Sequence, residues 1–216
     1  LLEAHPGDEQ LQEEIIELQL DEGLYPQAAE LAQALIDKTK DPYLAVTRRL
    51  RLGDIHHRAG DRAKALAIYP SALEQVGYDS WLEREVLAQI EQIFRREDDL
   101  TGLKKQYAAL LGAHPKRIAI HRRNAALLAE LGDADGAVAA WRAILDLTPG
   151  DRGNREAYVA LLAKLDRHGA AVKQLEELCK QQGEDAELRF WLARECHPAN
   201  QAERVATELD RYLALA

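Results

Sequence analysis

The sequence predicts an all-α protein that is built as a solenoid of antiparallel helical hairpins. The chain repeats itself at a spacing of 34 residues, because units that begin at Arg84, Ile118 and Arg152 align without a gap. Such a period is typical of stacked supersecondary units, none of which can bury its apolar face alone. Across the three units, one column holds Phe94, Leu128 and Leu162, another Leu103, Ala137 and Ala171, another Tyr107, Trp141 and Leu175, and the last Pro115, Pro149 and Gly183.

Each unit is predicted to hold two amphipathic helices separated by a short turn. Gly132 and Asp133 mark such a turn, since glycine tolerates positive φ and aspartate accepts backbone N–H groups at the start of a helix. Prolines fall at the unit boundaries, where they end a helix at little cost. The helix spacing i, i+3, i+4, i+7 is followed by Leu127, Leu128 and Leu131 in one first helix, and by Val138, Trp141, Ile144 and Leu145 in its partner.

These landmarks resemble the tetratricopeptide repeat family, whose members are right-handed superhelical solenoids. The resemblance covers nearly the whole chain. Residues 46–79 match through Leu52, Gly53, Gly60, Ala65, Tyr69 and Ala72. Residues 118–151 match through Ala125, Gly132, Ala137, Trp141 and Pro149.

Two details of residues 46–79 carry structural expectations. Gly53 and Ala65 are small and twelve positions apart, so the paired helices should approach each other closely. Pro70 falls inside the predicted second helix, where proline should bend the helix or start it afresh.

The repeat register predicts one repeat domain over residues 1–216. Its repeats span 9–42, 46–79, 84–117, 118–151 and 152–185, and residues 186–216 form a C-terminal hairpin or cap. Residues 1–6 parallel residues 110–115, the end of a unit, so residues 1–8 should be the end of a preceding, truncated repeat. We therefore expect the chain to be a fragment of a longer protein.

The net charge of −9 comes entirely from residues 1–45, while the acids and bases of the remaining chain balance. Cys179 and Cys196 form no metal-ligand motif, so we expect buried free thiols, with a disulfide as the alternative. This cysteine usage favours a reducing, cytoplasmic compartment. No apolar run approaches the roughly 18 residues that cross a bilayer.

No catalytic motif is present, and neither an enzyme activity nor a cofactor or metal is predicted. The chain has no HExxH, no Gly-rich phosphate loop and no GxSxG elbow. His56 and His57 are adjacent on a predicted helix and so point in different directions. We expect His56 to be a packed histidine rather than a metal ligand.

The resemblance implies a concave groove that is lined by the first helix of each repeat. The family's groove positions fall on Arg51, His57, Arg58, Gln89, Gln92, Arg95, Arg96, Arg122, Arg123 and Lys164. The same positions in the first repeat are acidic, at Glu13, Glu14, Glu17 and Asp21. Arginine suits bidentate contacts to carboxylate or phosphate, but acids in the same groove would neutralise part of the patch. The alternative interpretation is a solvated face that keeps the array soluble.

The predicted function is a protein–protein interaction scaffold, which binds a peptide or a partner domain in this groove. An acidic segment is the favoured ligand, and the partner's identity is not predicted. One alternative is an RNA-binding helical-repeat protein, which the overall charge makes less suitable. The other is a regulatory repeat segment of a larger enzyme. Phe190, Trp191 and Tyr212 of the final hairpin should mainly pack, with a docking surface as the alternative.

Overall fold

The computed structural model describes residues 8–182 and 185–216, which form α-helices and contain no strand. The predicted all-α class is therefore confirmed for the described residues. The predicted half-repeat before Asp8 and the unit-closing Gly183 lie outside them. The helices are α1 Glu9–Asp21, α2 Tyr25–Lys38, α3 Pro42–Arg58, α4 Arg62–Gln75, α5 Trp81–Arg96, α6 Leu100–Ala113, α7 Ile118–Glu130, α8 Ala134–Leu147, α9 Arg152–Lys164, α10 His168–Gln182, α11 Ala186–Cys196 and α12 Ala202–Leu215.

Consecutive helices pair into hairpins, and the turn within each hairpin contains one residue with a left-handed backbone conformation. The turns hold Gly23, Gly60, Asp98, Gly132, Asp166 and Asn200, with φ between 53° and 80°. An aspartate then caps several of the second helices. Asp61, Asp99 and Asp133 accept backbone N–H groups from Lys64, Gly102 and Gly136, at 3.1, 2.8 and 2.9 Å. The predicted Gly-Asp turn is therefore present in the structure.

Two compact units are found in the chain, Leu1–Ile120 and His121–Ala216. We call them unit 1 and unit 2, and each has apolar clusters of its own. None of the described helices is long and apolar enough to span a bilayer. In unit 1, α1 to α4 bury Ile16, Leu20, Ala28, Ala32, Leu35, Ile36, Leu52 and Ile55 together. In unit 2, the largest cluster includes Val159, Leu162, Val172, Leu175, Leu178, Leu188 and Leu192.

The two helices of the α3–α4 hairpin come closest where Gly53 faces Tyr69. A Cβ atom placed on Gly53 would lie 2.6 Å from the Tyr69 ring. Ala65 and Tyr69 are buried, at 0% and 1% exposure. The close approach that the small residues predict is therefore present. Helix α4 runs without interruption through Pro70, so the expected restart of the helix at this residue is wrong.

A buried ion pair links three segments of unit 1. Arg117 contacts Glu83 at 2.7 Å, and their side chains are 5% and 1% exposed. Arg117 also donates to the carbonyl oxygens of Leu73 and Val76, at the end of α4. Glu83 in turn accepts the backbone N–H of Asp79 at 2.6 Å. The pair therefore fixes the spacer between α4 and α5 against the segment that precedes α7.

Replacing Gly53 by alanine should destabilise the protein, because the added methyl group would collide with the Tyr69 ring. We expect the free energy of unfolding to fall by about 1–3 kcal/mol, as overpacking does. Gly112→Ala is the matched control, since Gly112 also lies in a helix and nothing approaches its Cβ position within 4 Å. That change should raise stability by up to about 1 kcal/mol. Chemical denaturation checks both, and equal effects would contradict the close approach.

Replacing Glu83 by glutamine should leave the buried Arg117 charge without its counterion. Breaking a buried pair in this way costs about 3–5 kcal/mol of unfolding free energy. Arg58→Gln serves as the control, because it removes an exposed i, i+4 pair and should change stability by less than about 1 kcal/mol. If both variants unfold at the same denaturant concentration, the pair does not stabilise the fold.

Candidate interaction surface

Helices α3 and α5 contact each other in unit 1 and carry most of the predicted groove residues. Helix α3 places Arg51, His57 and Arg58, and helix α5 places Gln89, Gln92, Arg95 and Arg96. Arg58, Arg95 and Arg96 are exposed and lie in the last turns of their helices. Cations are favourable at that end of a helix, because it carries the partial negative charge of the helix dipole.

Arg51 does not form an open cationic site, because acidic residues of α1 hold it. Its guanidinium contacts Glu13 and lies 2.6 Å from Glu17. The neighbouring Arg48 is buried and pairs with Glu9 at 2.8 Å and with Glu13 at 3.1 Å. The predicted acidic end and this part of the predicted basic patch therefore neutralise each other. The structural role of Arg48 was not predicted from the sequence. The sequence feature that indicates it is the position of this basic residue, 35 residues after Glu13.

Two of the remaining predicted cations, Arg58 and Arg95, pair with a carboxylate of their own helix. Arg58 pairs with Asp54 at 2.8 Å, and Arg95 pairs with Glu91 at 3.2 Å. Such surface i, i+4 pairs are weak, so a partner's carboxylate can replace them at little cost. Gln89 donates to Glu85 at 2.8 Å, while Gln92 is exposed. Asp54 therefore neutralises Arg58 in part, whereas Glu85 is bonded to the neutral Gln89.

Three predicted groove residues lie in unit 2. Arg122 makes a contact with a buried side chain, whereas Arg123 and Lys164 have accessible side chains. Arg122 donates through Nε and Nη2 to Oδ1 of Asn154, at 3.1 and 2.7 Å. Asn154 is buried and also donates to the Thr148 hydroxyl at 2.9 Å, so Arg122 supports the start of α9. Arg123 is half-buried, and Lys164 is exposed at the end of α9.

His56 is half-buried beside the start of α4. Burial, together with the charge of Lys64, lowers the pKa of His56, and the Asp61 carboxylate opposes this effect. Within residues 8–182 and 185–216, no group of three or more His, Cys, Asp or Glu side chains is arranged to hold a metal ion. Cys179 and Cys196 are free and buried, as predicted, and burial raises the pKa of both thiols.

The aromatic residues of the final hairpin mostly pack, as expected. The rings of Phe190 and Tyr212 lie 5.4 Å apart in a tilted arrangement. Trp191 packs against the unit 2 cluster, and the Arg194 guanidinium lies 5.8 Å from its ring centre. Phe190 is 49% exposed, so one face of this ring remains in contact with solvent.

No model of a known protein family and no curated protein sequence matches the chain. Among solved structures, a crystal structure of the MamA protein is 10% identical, covers 78% of this chain and 90% of its own, and superposes with a TM-score of 0.50. YrrB, described as a TPR protein with an unusual peptide-binding site, is 16% identical over 86% of this chain and 92% of its own (TM-score 0.49). A tetratricopeptide repeat protein from Parabacteroides merdae is 19% identical over 95% and 80% (TM-score 0.43).

The chain has the tetratricopeptide-repeat fold. At these identities the likeness concerns the fold alone. The small residues and the turn glycines that the sequence indicated as repeat landmarks lie in a helix crossing and in the turns of the hairpins. Gly53 and Ala65 lie in the tight crossing, and Gly60 and Gly132 have positive φ in the turns.

The pKa of His56 should lie below its ordinary value of 6.5. The unfolded chain therefore binds a proton at His56 before the folded one does. The stabilisation from this group is complete above pH 6.5 and is lost as the pH falls through the lower, folded-state pKa. An NMR titration measures the shift, and Lys64→Gln should move the pKa part of the way back, because burial remains. A pKa of 6.5 or above in the unmodified protein would contradict the proposed environment.

Proposed function

We propose that the chain is a non-catalytic scaffold that binds an acidic peptide segment of a partner protein. The binding surface is the exposed side of α3 and α5 in unit 1, around Arg58, Gln92, Arg95 and Arg96. The observation that carries the proposal is that three exposed arginines lie in the last turns of two helices that contact each other.

The chemistry of this surface favours carboxylates over other ligands. Arginine presents a planar fork of N–H donors that matches a carboxylate, and it loses little freedom per hydrogen bond formed. Arg58 pairs with Asp54 of its own helix at 2.8 Å, and the two side chains are 52% and 32% exposed. An incoming acidic side chain can therefore exchange with Asp54 without breaking a buried contact.

The fold supports this function through preorganisation. The side chains stand on helices whose apolar faces are already buried, including Ile55 of α3 and Ile90 of α5 at 0% exposure. A rigid surface of this kind binds an extended segment without paying to order itself. Arg123 and Lys164 of unit 2 remain predicted contact residues that are not part of this surface, whereas Arg51 and Arg122 act in our proposal as structural residues.

Reversing two charges on this surface should weaken peptide binding. The probe is a fluorescein-labelled decapeptide of alternating glutamate and leucine, measured by fluorescence anisotropy. We expect Arg58→Glu/Arg96→Glu to raise the Kd at least about tenfold, since a tenfold loss corresponds to about 1.4 kcal/mol. The matched control Lys38→Glu/Lys40→Glu makes the same charge change at two exposed lysines of unit 1 and should leave the Kd unchanged.

A second arm of the experiment separates the proposal from its alternatives. A ten-nucleotide single-stranded RNA takes the place of the peptide, over a series of salt concentrations. Tighter binding of the RNA than of the peptide, with a steep loss at higher salt, would point to nucleic acid instead. Equal weakening of peptide binding by both double variants would reduce the effect to net charge and reject this surface.

A further inference from the structure

A cavity of about 740 Å³ opens in unit 2 between α8, α9 and α10. Its size lies within the range of small-ligand sites in proteins, about 300–1,000 Å³. The walls combine apolar groups such as Leu145 and Pro149 with a set of charged and amide side chains. The polar lining that bears on its chemistry is Arg142, Asp146, Arg155, Lys173 and Gln174.

Arg155 is a buried cation in the wall of this cavity, at 8% exposure. Two of its nitrogens are bonded, Nη1 to Gln174 at 2.8 Å and Nη2 to the carbonyl oxygen of Pro149 at 3.0 Å. Its Nε–H has no hydrogen-bond partner among the described residues. A buried N–H donor without a partner is unfavourable, and such groups in folded proteins usually have a missing partner.

The charge of Arg155 is also without a direct counterion. Within the described part of the chain no carboxylate lies at ion-pair distance from its guanidinium, since both bonded acceptors are neutral. The nearby Glu177 carboxylate is bonded to Lys180 at 2.8 Å. That hydrogen bond and the charge of Lys180 lower the pKa of Glu177, and Arg155 adds a smaller effect. A buried cation normally has a paired anion.

The other cations of the cavity add to this excess of positive charge. Arg142 and Lys173 are exposed side chains at its edge, and Asp146 is the acid in the lining. Arg142 donates through Nε to the Tyr158 hydroxyl at 3.4 Å, which is a long hydrogen bond. Three cations and one carboxylate therefore surround a space that is large enough for a side chain.

We infer that this cavity binds a carboxylate group carried by an acidic side chain of a partner peptide. The carboxylate would pair with Arg142 and Lys173 and offset the uncompensated charge of Arg155, while Leu145 and Pro149 contact its methylene groups. The site lies on unit 2 and uses residues from both second helices, α8 and α10. It shares no residue with the α3–α5 surface of unit 1, so each site is testable without the other.

The first measurement follows the Nε–H resonance of Arg155 in a ¹H–¹⁵N spectrum of the full chain. Arg155→Lys assigns the resonance by removing it, and the probe is a blocked hexaglutamate peptide. We expect the peptide to shift this resonance with a saturable dependence on concentration. Absence of any shift up to about 5 mM peptide, well above the 1 mM that corresponds to weak binding, would overturn the inference.

Substitutions at the exposed edge of the cavity test the site without disturbing the buried arginine. Arg142→Gln/Lys173→Gln should weaken hexaglutamate binding at least tenfold, and Lys173→Arg should retain most of it. Lys38→Gln/Lys40→Gln is the matched control, because it removes the same two positive charges from exposed lysines outside this cavity. A loss with this control as large as that with the double variant at the cavity would overturn the inference.

Two further arms distinguish this cavity from the unit 1 surface and from a general small-anion site. Arg58→Glu/Arg96→Glu in unit 1 should leave the Arg155 shift unchanged, so failure of the unit 1 surface and failure of this cavity are distinguishable. Inorganic phosphate takes the place of the peptide in a parallel titration. If phosphate shifts the Arg155 resonance at lower concentration than hexaglutamate does, the cavity is a small-anion site and the peptide assignment is wrong.

Discussion

Close packing within each helical hairpin is the constraint on which the rest of the structure depends. The second helices of four hairpins place Ala28, Ala65, Ala137 and Ala171 in the crossing, each with 0% exposure. In α3–α4 the distance is so short that Gly53 alone fits against the partner helix. Because these small residues fix how the two helices of a hairpin cross, they also fix the directions in which the other faces of each helix point. Apolar residues face the next hairpin, and charged residues stay on the outside.

Arginine has two distinct tasks in this protein. Several arginines tie one hairpin to its neighbour through a carboxylate about one repeat away in the sequence. Arg62 reaches Asp99 at 2.8 Å, and Arg152 reaches Asp185 at 2.8 Å. Others stand exposed at helix ends, where a partner can reach them. The net charge of a segment does not distinguish the two groups of arginines. Helix α1 is strongly acidic, but most of its carboxylates pair with Arg48 and Arg51 and are not left for a partner.

Periodicity was sufficient to predict the hairpins and their turns, because these depend on local pattern and on the spacing of small residues. The buried thiols were predicted from the lack of a metal-ligand motif. The partners of each arginine were beyond prediction, since Arg51 and Arg122 belong to the same set of family groove positions as Arg58 and Arg123. Their partners, Glu13 and Asn154, lie 38 and 32 residues away, and contact depends on how neighbouring hairpins pack. The cavity around Arg155 was missed for the same reason. Pro70 shows the opposite limit, because α4 continues through this residue and the restart that the local signal allowed does not occur.

Because of the contacts of Arg117, the hairpins of unit 1 are not interchangeable. Its side chain binds the last carbonyl groups of α4 and the Glu83 carboxylate of α5, across the irregular spacer between them. A hairpin removed or duplicated at this joint would leave a buried charge or a pair of carbonyl groups without a partner. Adding or removing a whole repeat at this joint would therefore break a buried contact that holds α4, α5 and the start of α7 together.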